Sequence, residues 1–180
     1  LPDSLATRFI FPHAPARPVT INGGMIMPAW YDILSMDIDR KIDETQIVES
    51  ARQVTALIER EIERGVEPNR IVLAGFSQGG AVAYQAALEF DRSLAGLMTM
   101  STYFATHETV EIHSANKDLN IFVSHGTQDP VVVETLGQRA VKALQDKGFQ
   151  PSYKTYPMQH EVSMPQIADI AAWLKARLTA

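Results

Sequence analysis

Strand-like and helix-like stretches alternate along the chain from residue 70 onward, and that alternation predicts an α/β fold: a mostly parallel sheet with helices on both faces. Three observations carry the expectation. Arg70-Ile71-Val72-Leu73-Ala74, Leu94 to Met100 and Asn120 to Ser124 have the length and continuous apolarity of strands buried on both sides. Ala81 to Glu89, Glu134 to Lys147 and Met164 to Leu178 have the composition or period of helices. Between the first strand and the first of these helices lies Gly75-Phe76-Ser77-Gln78-Gly79-Gly80, a turn whose glycines at 75 and 79 suggest a reversal too tight for Cβ atoms.

In chain order, Arg8-Phe9-Ile10-Phe11 reads as a short buried strand stopped by Pro12. His13 to Pro18 is too rich in proline for regular structure, and His13 within it reads as structural. Val19-Thr20-Ile21 and Met25-Ile26-Met27 flank Asn22-Gly23-Gly24 as a small hairpin. Pro28 to Asp32 then sets Trp30 and Tyr31 in a loop. Asp43-Glu44-Thr45-Gln46 has the form of a capping box with Asp43 as N-cap. Apolar residues at 47, 51, 54, 58 and 62 follow at helical period until Gly65, and Glu59, Arg60, Glu63 and Arg64 form the solvated face.

Beyond the strand at Leu94 to Met100, residues 101–118 read as a polar loop in which His107 and His113 are solvated. The strand at Asn120 to Ser124 leads into His125-Gly126-Thr127-Gln128-Asp129-Pro130, where His125 is expected to hydrogen-bond within its own loop. A helix over 134–147 closes at Gly148. Tyr153 to Tyr156 is the next strand, and Met158 to Val162 is a loop. The final helix, 164–178, carries Ile167, Ile170, Ala171 and Leu174 on one face.

At 180 residues the expectation is a single domain over 1–180, long enough for a substantial core. A net charge of −5 argues against nucleic acid or an anionic membrane as the main partner. No apolar run is long enough to span a bilayer and no basic-then-apolar segment opens the chain, so the expected location is cytoplasmic. The sequence has no cysteine, which excludes disulfides, thiolate catalysis and thiolate-held metals.

Strand, tight turn with a central serine, then helix is the context in which Gly-x-Ser-x-Gly presents a nucleophile. The turn aims the N–H of Gln78, at the helix start, at any oxyanion formed beside Ser77. In a parallel sheet functional groups collect at the carboxyl ends of strands, and Asp129 and His160 both follow strands. A serine hydroxyl needs a neutral imidazole to take its proton and an acid to orient that imidazole. His160 is the candidate base and Asp129 the candidate acid, with Asp118 and Glu134 as alternatives. There is no His-Glu-x-x-His helix, no Gly-x-Gly-x-x-Gly and no Gly-Lys-Ser/Thr, so neither metal nor nucleotide cofactor has support in the sequence. Met25, Met27, Trp30 and Tyr31 either complete the core or line an acyl-binding surface.

Taken together, the chain resembles the carboxylesterase, lysophospholipase and acyl-protein thioesterase family of α/β-hydrolases. The resemblance rests on Arg8 to Pro15, Met27 to Asp32, Gly75 to Gly80, His125 to Val132 and His160-Glu161-Val162, and it spans essentially the whole chain. It implies Ser77 as nucleophile, His160 as base, Asp129 as orienting acid and the Gln78 N–H as oxyanion donor. Met27, Trp30 and Val131 become the candidate substrate-binding residues. The implied activity is hydrolysis of small carboxylic esters through an acyl-enzyme, with no cofactor and often as a dimer. The alternatives are an acyl-protein thioesterase or lysophospholipase, or a weakly active hydrolase-like scaffold that binds acyl ligands.

One departure sets a further expectation. Members of this family carry strands and a His-Gly-Leu-Gly type loop, source of a second oxyanion donor, ahead of the Arg-Phe-Ile-Phe-Pro stretch. This sequence starts at Leu1-Pro2, so an N-terminally shortened sheet is expected, with only the Gln78 donor carried over. The Phe9-Ile10-Phe11 strand should then pair with Ile71-Val72-Leu73, or with a segment of a second subunit in a tight homodimer.

Overall fold

A computed structural model describes residues 1, 5–37 and 39–179. Its centre is set by the most continuously apolar stretches. Ile121–Gly126 has all six residues buried, and Gly96–Met100 has four of its five residues buried. In chain order the elements are β1 (Ala16–Val19), β2 (Met25–Pro28), α1 (Glu44–Glu63), β3 (Val72–Phe76), α2 (Gln78–Glu89), β4 (Gly96–Met100), β5 (Ile121–Gly126), α3 (Glu134–Asp146), β6 (Ser152–Tyr156) and α4 (Met164–Leu178). The four strands from β3 to β6 form a parallel sheet in sequence order, and β1 and β2 pair separately as an antiparallel hairpin.

Side-chain alternation decides which helices cover which face. Leu97, Ile121 and Val123 pack into a cluster with Tyr84 and Leu88 of α2 and with Ala140 and Leu144 of α3. The Tyr84 hydroxyl also reaches Thr99 Oγ1 at 2.8 Å. Residues of opposite parity face α4: the Phe122 ring lies 6.0 Å from Trp173, and Gln166 Nε2 donates to Ser124 Oγ at 2.8 Å. Helices therefore flank both faces, as the alternation predicts, with α1 joined to α2 through Ile58 in the larger cluster and through Ile47 and Ala51 in a second.

The first predicted strand is absent. Arg8 to Phe11 has no strand pairing; Phe9 is 59% and Phe11 83% exposed, and their rings stack on each other at 6.2 Å. This segment and β3 face each other across a cavity of about 690 Å³, which Val54, Leu57, Leu174 and Leu178 also line. Ladder hydrogen bonds need strands about 4.8 Å apart, so the gap prevents the expected pairing. The outer edge of β3 carries no hydrogen-bonded strand among the described residues.

Four smaller expectations shift. The first hairpin strand is Ala16–Val19, inside the proline-rich stretch expected to be irregular, because Pro18 sits on a two-stranded ribbon, and Thr20–Asn22 turns as a 3₁₀ helix. Pro68 draws Arg70 into a 3₁₀ turn, so β3 begins at Val72 and runs through Gly75 to Phe76, in register with Met100. The loop at 101–118 is polar yet largely buried at its start, Ser101 to Phe104 being inside. Farther on, Asn116 Oδ1 accepts from the Leu94 N–H at 3.0 Å, and its Nδ2 donates to the Phe90 and Arg92 carbonyls. The polar residue there satisfies buried backbone groups. On α4, Ile167 is 44% exposed, so the predicted apolar face is only partly covered.

Asp43 does cap α1, its carboxylate accepting from Gln46 N at 3.1 Å. The return half of the box is missing, because Gln46 Oε1 accepts instead from Asp32 N at 2.8 Å and from Arg17. With only that one cap bond at stake, Asp43→Ala should lower stability by about 1 kcal/mol in urea denaturation and leave turnover per folded molecule unchanged. A loss below about 0.3 kcal/mol would show that the bond contributes nothing net.

Candidate active site

β3 ends in Phe76, and α2 starts at Gln78, so Ser77 alone makes the reversal. Its backbone sits at φ 52° and ψ −122°, a region rarely populated by non-glycine residues. A serine at a helix N-cap ordinarily turns its hydroxyl onto the first turn. Here the side chain makes no cap bond, which leaves Oγ free. The strained residue is held by its backbone: Ser77 N donates to Met100 O at 3.0 Å, and Ser77 O accepts from Gly80 N at 3.0 Å and from Thr102 Oγ1 at 2.6 Å.

A Cβ at Gly75 would overlap the Gly79 carbonyl, so the expected closeness at 75 is real. At Gly79 a Cβ would meet nothing nearer than Trp30 Nε1 at 3.9 Å. The second close approach is instead at Gly80, where a Cβ would come within 2.5 Å of Thr102 Cγ2. That difference corrects the sequence expectation for 79.

Gln78 is the first residue of α2, so its N–H has no acceptor within its own helix. Its side chain does something the sequence does not signal. Oε1 accepts from Trp30 N, and Nε2 donates to Tyr31 O, both at 3.0 Å, which clamps the aromatic loop onto the elbow.

Asp129 and His160 are brought together. The Asp129 side chain has no solvent exposure, and His160 Nδ1 donates to its Oδ2 at 2.7 Å. The other oxygen, Oδ1, accepts from Val131 N at 2.9 Å and Val132 N at 2.8 Å. Three N–H donors thus compensate the burial of a carboxylate. Because a carboxylate only accepts, His160 Nδ1 carries a proton, and in the neutral ring Nε2 is the nitrogen with the lone pair. The His160 ring packs against Phe76 with centroids 4.7 Å apart, one residue from Ser77.

The alternative acids lie elsewhere. Glu134 bonds Gln138 and Tyr153, and Asp118 is exposed in the turn before β5. Met27 sits in the hairpin, its sulfur taking a hydrogen bond from Asn22 Nδ2 at 3.0 Å. Trp30 lines the cavity beside β3 together with Gly75, Phe76 and Gly79. Val131 is 39% exposed next to Asp129, and its carbonyl accepts from Arg40. His107 is half-exposed and His113 exposed, as expected of solvated histidines. His125 is wholly buried, and its Nε2 bonds Val132 O at 2.7 Å, within its own loop as expected. Burial pushes the His125 pKa down, against the pull of the Val132 bond and the Asp129 and Glu134 charges; the nearby His160 adds slightly to the lowering. Among the described residues no cluster of three His, Asp or Glu could hold a metal ion, and no helix is long and apolar enough to cross a membrane.

With this geometry in hand, similarity to known proteins is informative. A family profile described as Phospholipase/Carboxylesterase matches residues 3–178. Acyl-protein thioesterase 1 of Cryptococcus neoformans is 39% identical over 190 residues, which cover 95% of this chain and 80% of that protein. The crystal structure of Arabidopsis thaliana SOBER1 superposes with a TM-score of 0.87 at 31% identity, covering 94% of this chain and 83% of that one. The crystal structure of Zea mays acyl-protein thioesterase 2 gives 0.79 at 27% identity over 93% and 80%.

The elbow packing sets one expectation and His125 another. Gly79→Ala should fold with at least the parent's stability, since alanine favours a helix over glycine by about 1 kcal/mol. Gly75→Ala should lose several kcal/mol, of order 3, or fail to fold; equal urea midpoints for the two variants would contradict the packing. An unfolded histidine ionises near ~6.5 and the folded His125 ionises lower. Its contribution to stability is therefore complete above about pH 6.5 and is lost as pH falls toward the folded value, because the unfolded chain then binds the extra proton. His125→Gln should flatten that part of the urea-midpoint profile; parallel profiles would show that His125 titrates alike in both states.

Proposed function

The chain belongs to the phospholipase/carboxylesterase family of α/β-hydrolases, and on that premise we propose that it is an acyl-protein thioesterase working through Ser77, His160 and Asp129. That it is a serine hydrolase of esters or thioesters follows from the family itself. The finer reading is supported by one observation above all: a buried Asp129 carboxylate accepts a hydrogen bond from Nδ1–H of His160, whose ring rests on Phe76 beside Ser77. The 39% identity to a fungal protein named acyl-protein thioesterase 1 supports the thioester over the small ester as the proposed substrate.

The chemistry proceeds in two balanced halves. Ser77 Oγ attacks the thioester carbon while His160 Nε2 takes the hydroxyl proton, and Asp129 steadies the imidazolium through Nδ1–H. The negative charge on the carbonyl oxygen forms beside the Gln78 N–H, at the positive end of α2. The C–S bond breaks, His160 returns its proton to the departing sulfur, and an acyl-serine remains. Water then attacks that ester with His160 again as base, releasing the carboxylic acid and free Ser77.

A fluorophosphonate should label the protein on Ser77, located by mass spectrometry, and Ser77→Ala should abolish both labelling and hydrolysis. Asp129→Asn should fold yet turn over on the order of 10⁴ more slowly, by the tautomer logic of the serine proteases. An S-acyl peptide should be cleaved with a kcat/KM at least about tenfold above that for a short-chain nitrophenyl ester, the gain expected from roughly 1.4 kcal/mol of extra transition-state binding. A labelled enzyme that cleaves only the short ester would return the reading to a carboxylesterase. A protein that takes no label would be an acyl-binding scaffold.

A further inference from the structure

We infer that His125 is a positioning residue: a buried neutral imidazole that, with Gly126 beside it, fixes the Asp129 loop against the His160 loop. The inference rests on the roles proposed above for Asp129 and His160. The ring lies at the end of β5 with no solvent exposure, and its Nε2 is 2.7 Å from the Val132 carbonyl. A carbonyl only accepts, so the proton is on Nε2. Nδ1 then carries a lone pair with no hydrogen-bond partner. It lies against Gly137 of α3, where a Cβ would overlap the ring. A second proton on Nδ1 would be buried against Gly137 with no acceptor; the Asp129 carboxylate, 3.8 Å from Nε2, lies on the other side of the ring, so the ring is held as a neutral donor.

The other end of this tie is the Asp129 carboxylate. Val132 accepts from His125 through its carbonyl and donates to Asp129 Oδ1 through its N–H at 2.8 Å. One residue therefore links β5 to the acid, and the loop from Gly126 to Val132 is closed at both ends. Gly126 completes the arrangement on the opposite side. A Cβ there would overlap the carbonyls of Met158 and Gln159, directly before His160. Thr127 N donates to Tyr156 O at 2.9 Å, and Gln128 N to Met158 O at 3.1 Å. Adjacent residues thus hold the acid loop and admit the base loop, and the 2.7 Å contact between Asp129 and His160 forms where the two loops meet.

The test uses turnover per active serine, with active sites counted by fluorophosphonate titration so that misfolded protein drops out. His125→Leu removes the donor at similar volume and should lower kcat about 10- to 100-fold with KM within about twofold, the range expected when a catalytic group is displaced by an ångström or less. His125→Gln keeps a donor near the Nε2 position and should restore kcat to within about threefold of the parent. In an Asp129→Asn background, His125→Leu should have almost no further effect, because the two act through one carboxylate. Should His125→Leu fail to fold, His125→Asn, whose amide nitrogen falls short of Val132 O, carries the same expectation. A folded His125→Leu with the parent's kcat per site, or an equal loss in both backgrounds, would overturn the inference. A wild type that takes no label would instead remove the reading on which it rests.

Discussion

The constraint on which the rest of the molecule depends is the backbone of Ser77. Its φ of 52° with ψ of −122° costs of the order of 1–3 kcal/mol, and such a conformation persists only where the surroundings leave no other. Here they leave none. The sheet fixes the residue from one side through Met100 O, and the first turn of α2 fixes its carbonyl through Gly80 N. Thr102 adds a hydroxyl to the same carbonyl. Behind these bonds α2 is buried from Gly80 to Leu88. Relaxing the elbow would mean shifting a helix that is among the best packed elements of the fold, which is why the strain can be kept.

Asp129 and His160, proposed above as acid and base, are stabilised by a different principle. Asp129 is a charge removed from water, and such burial is tolerable only with donors at every face. Two backbone N–H groups and His160 meet that need, and the loops bearing them are tied to each other largely by backbone bonds, with the buried His125 ring bracing the acid loop from within. A backbone tie does not depend on a flexible rotamer, so the pair is preorganised before substrate arrives. His160 keeps 18% of its side-chain surface exposed and Asp129 none, so the exposed end of the pair is the imidazole rather than the carboxylate.

Much of this was legible in the sequence because it is local. Ser77 between a strand and a helix, Asp129 and His160 just after strands, and the capped start of α1 at Asp43 all follow from neighbouring residues. Asp129 meets His160, and the His160 ring reaches Phe76 beside Ser77, because a parallel sheet gathers its strand ends at one rim. What could not be read depends on distant packing. Nothing in Gly79-Gly80 says which glycine faces Thr102, and nothing near Gln78 says that its amide grips Trp30 and Tyr31, nearly fifty residues away. Arg8 to Phe11 misled for the same reason. Its apolar, β-prone sequence describes a residue set suited to a strand, whereas a strand also requires an edge within hydrogen-bonding distance.

The position of β3 brings these threads together. It is the strand that carries the elbow, and among the described residues it is also an edge of the four-stranded sheet, with a cavity rather than a bonded strand on its outer side. An edge strand is held by one ladder instead of two, so in isolation its end would be among the looser parts of a sheet. The contacts that fix Ser77 all come from the inner side or from above: β4 through Met100, the segment after β4 through Thr102, and α2 through its first turn. The Gln78 clamp then ties the start of α2 to the Trp30 loop, and Ser50 of α1 donates to the Trp30 carbonyl in turn. The elbow is thereby braced through α1 and α2 as well as through the sheet, so its geometry does not require a second ladder on β3.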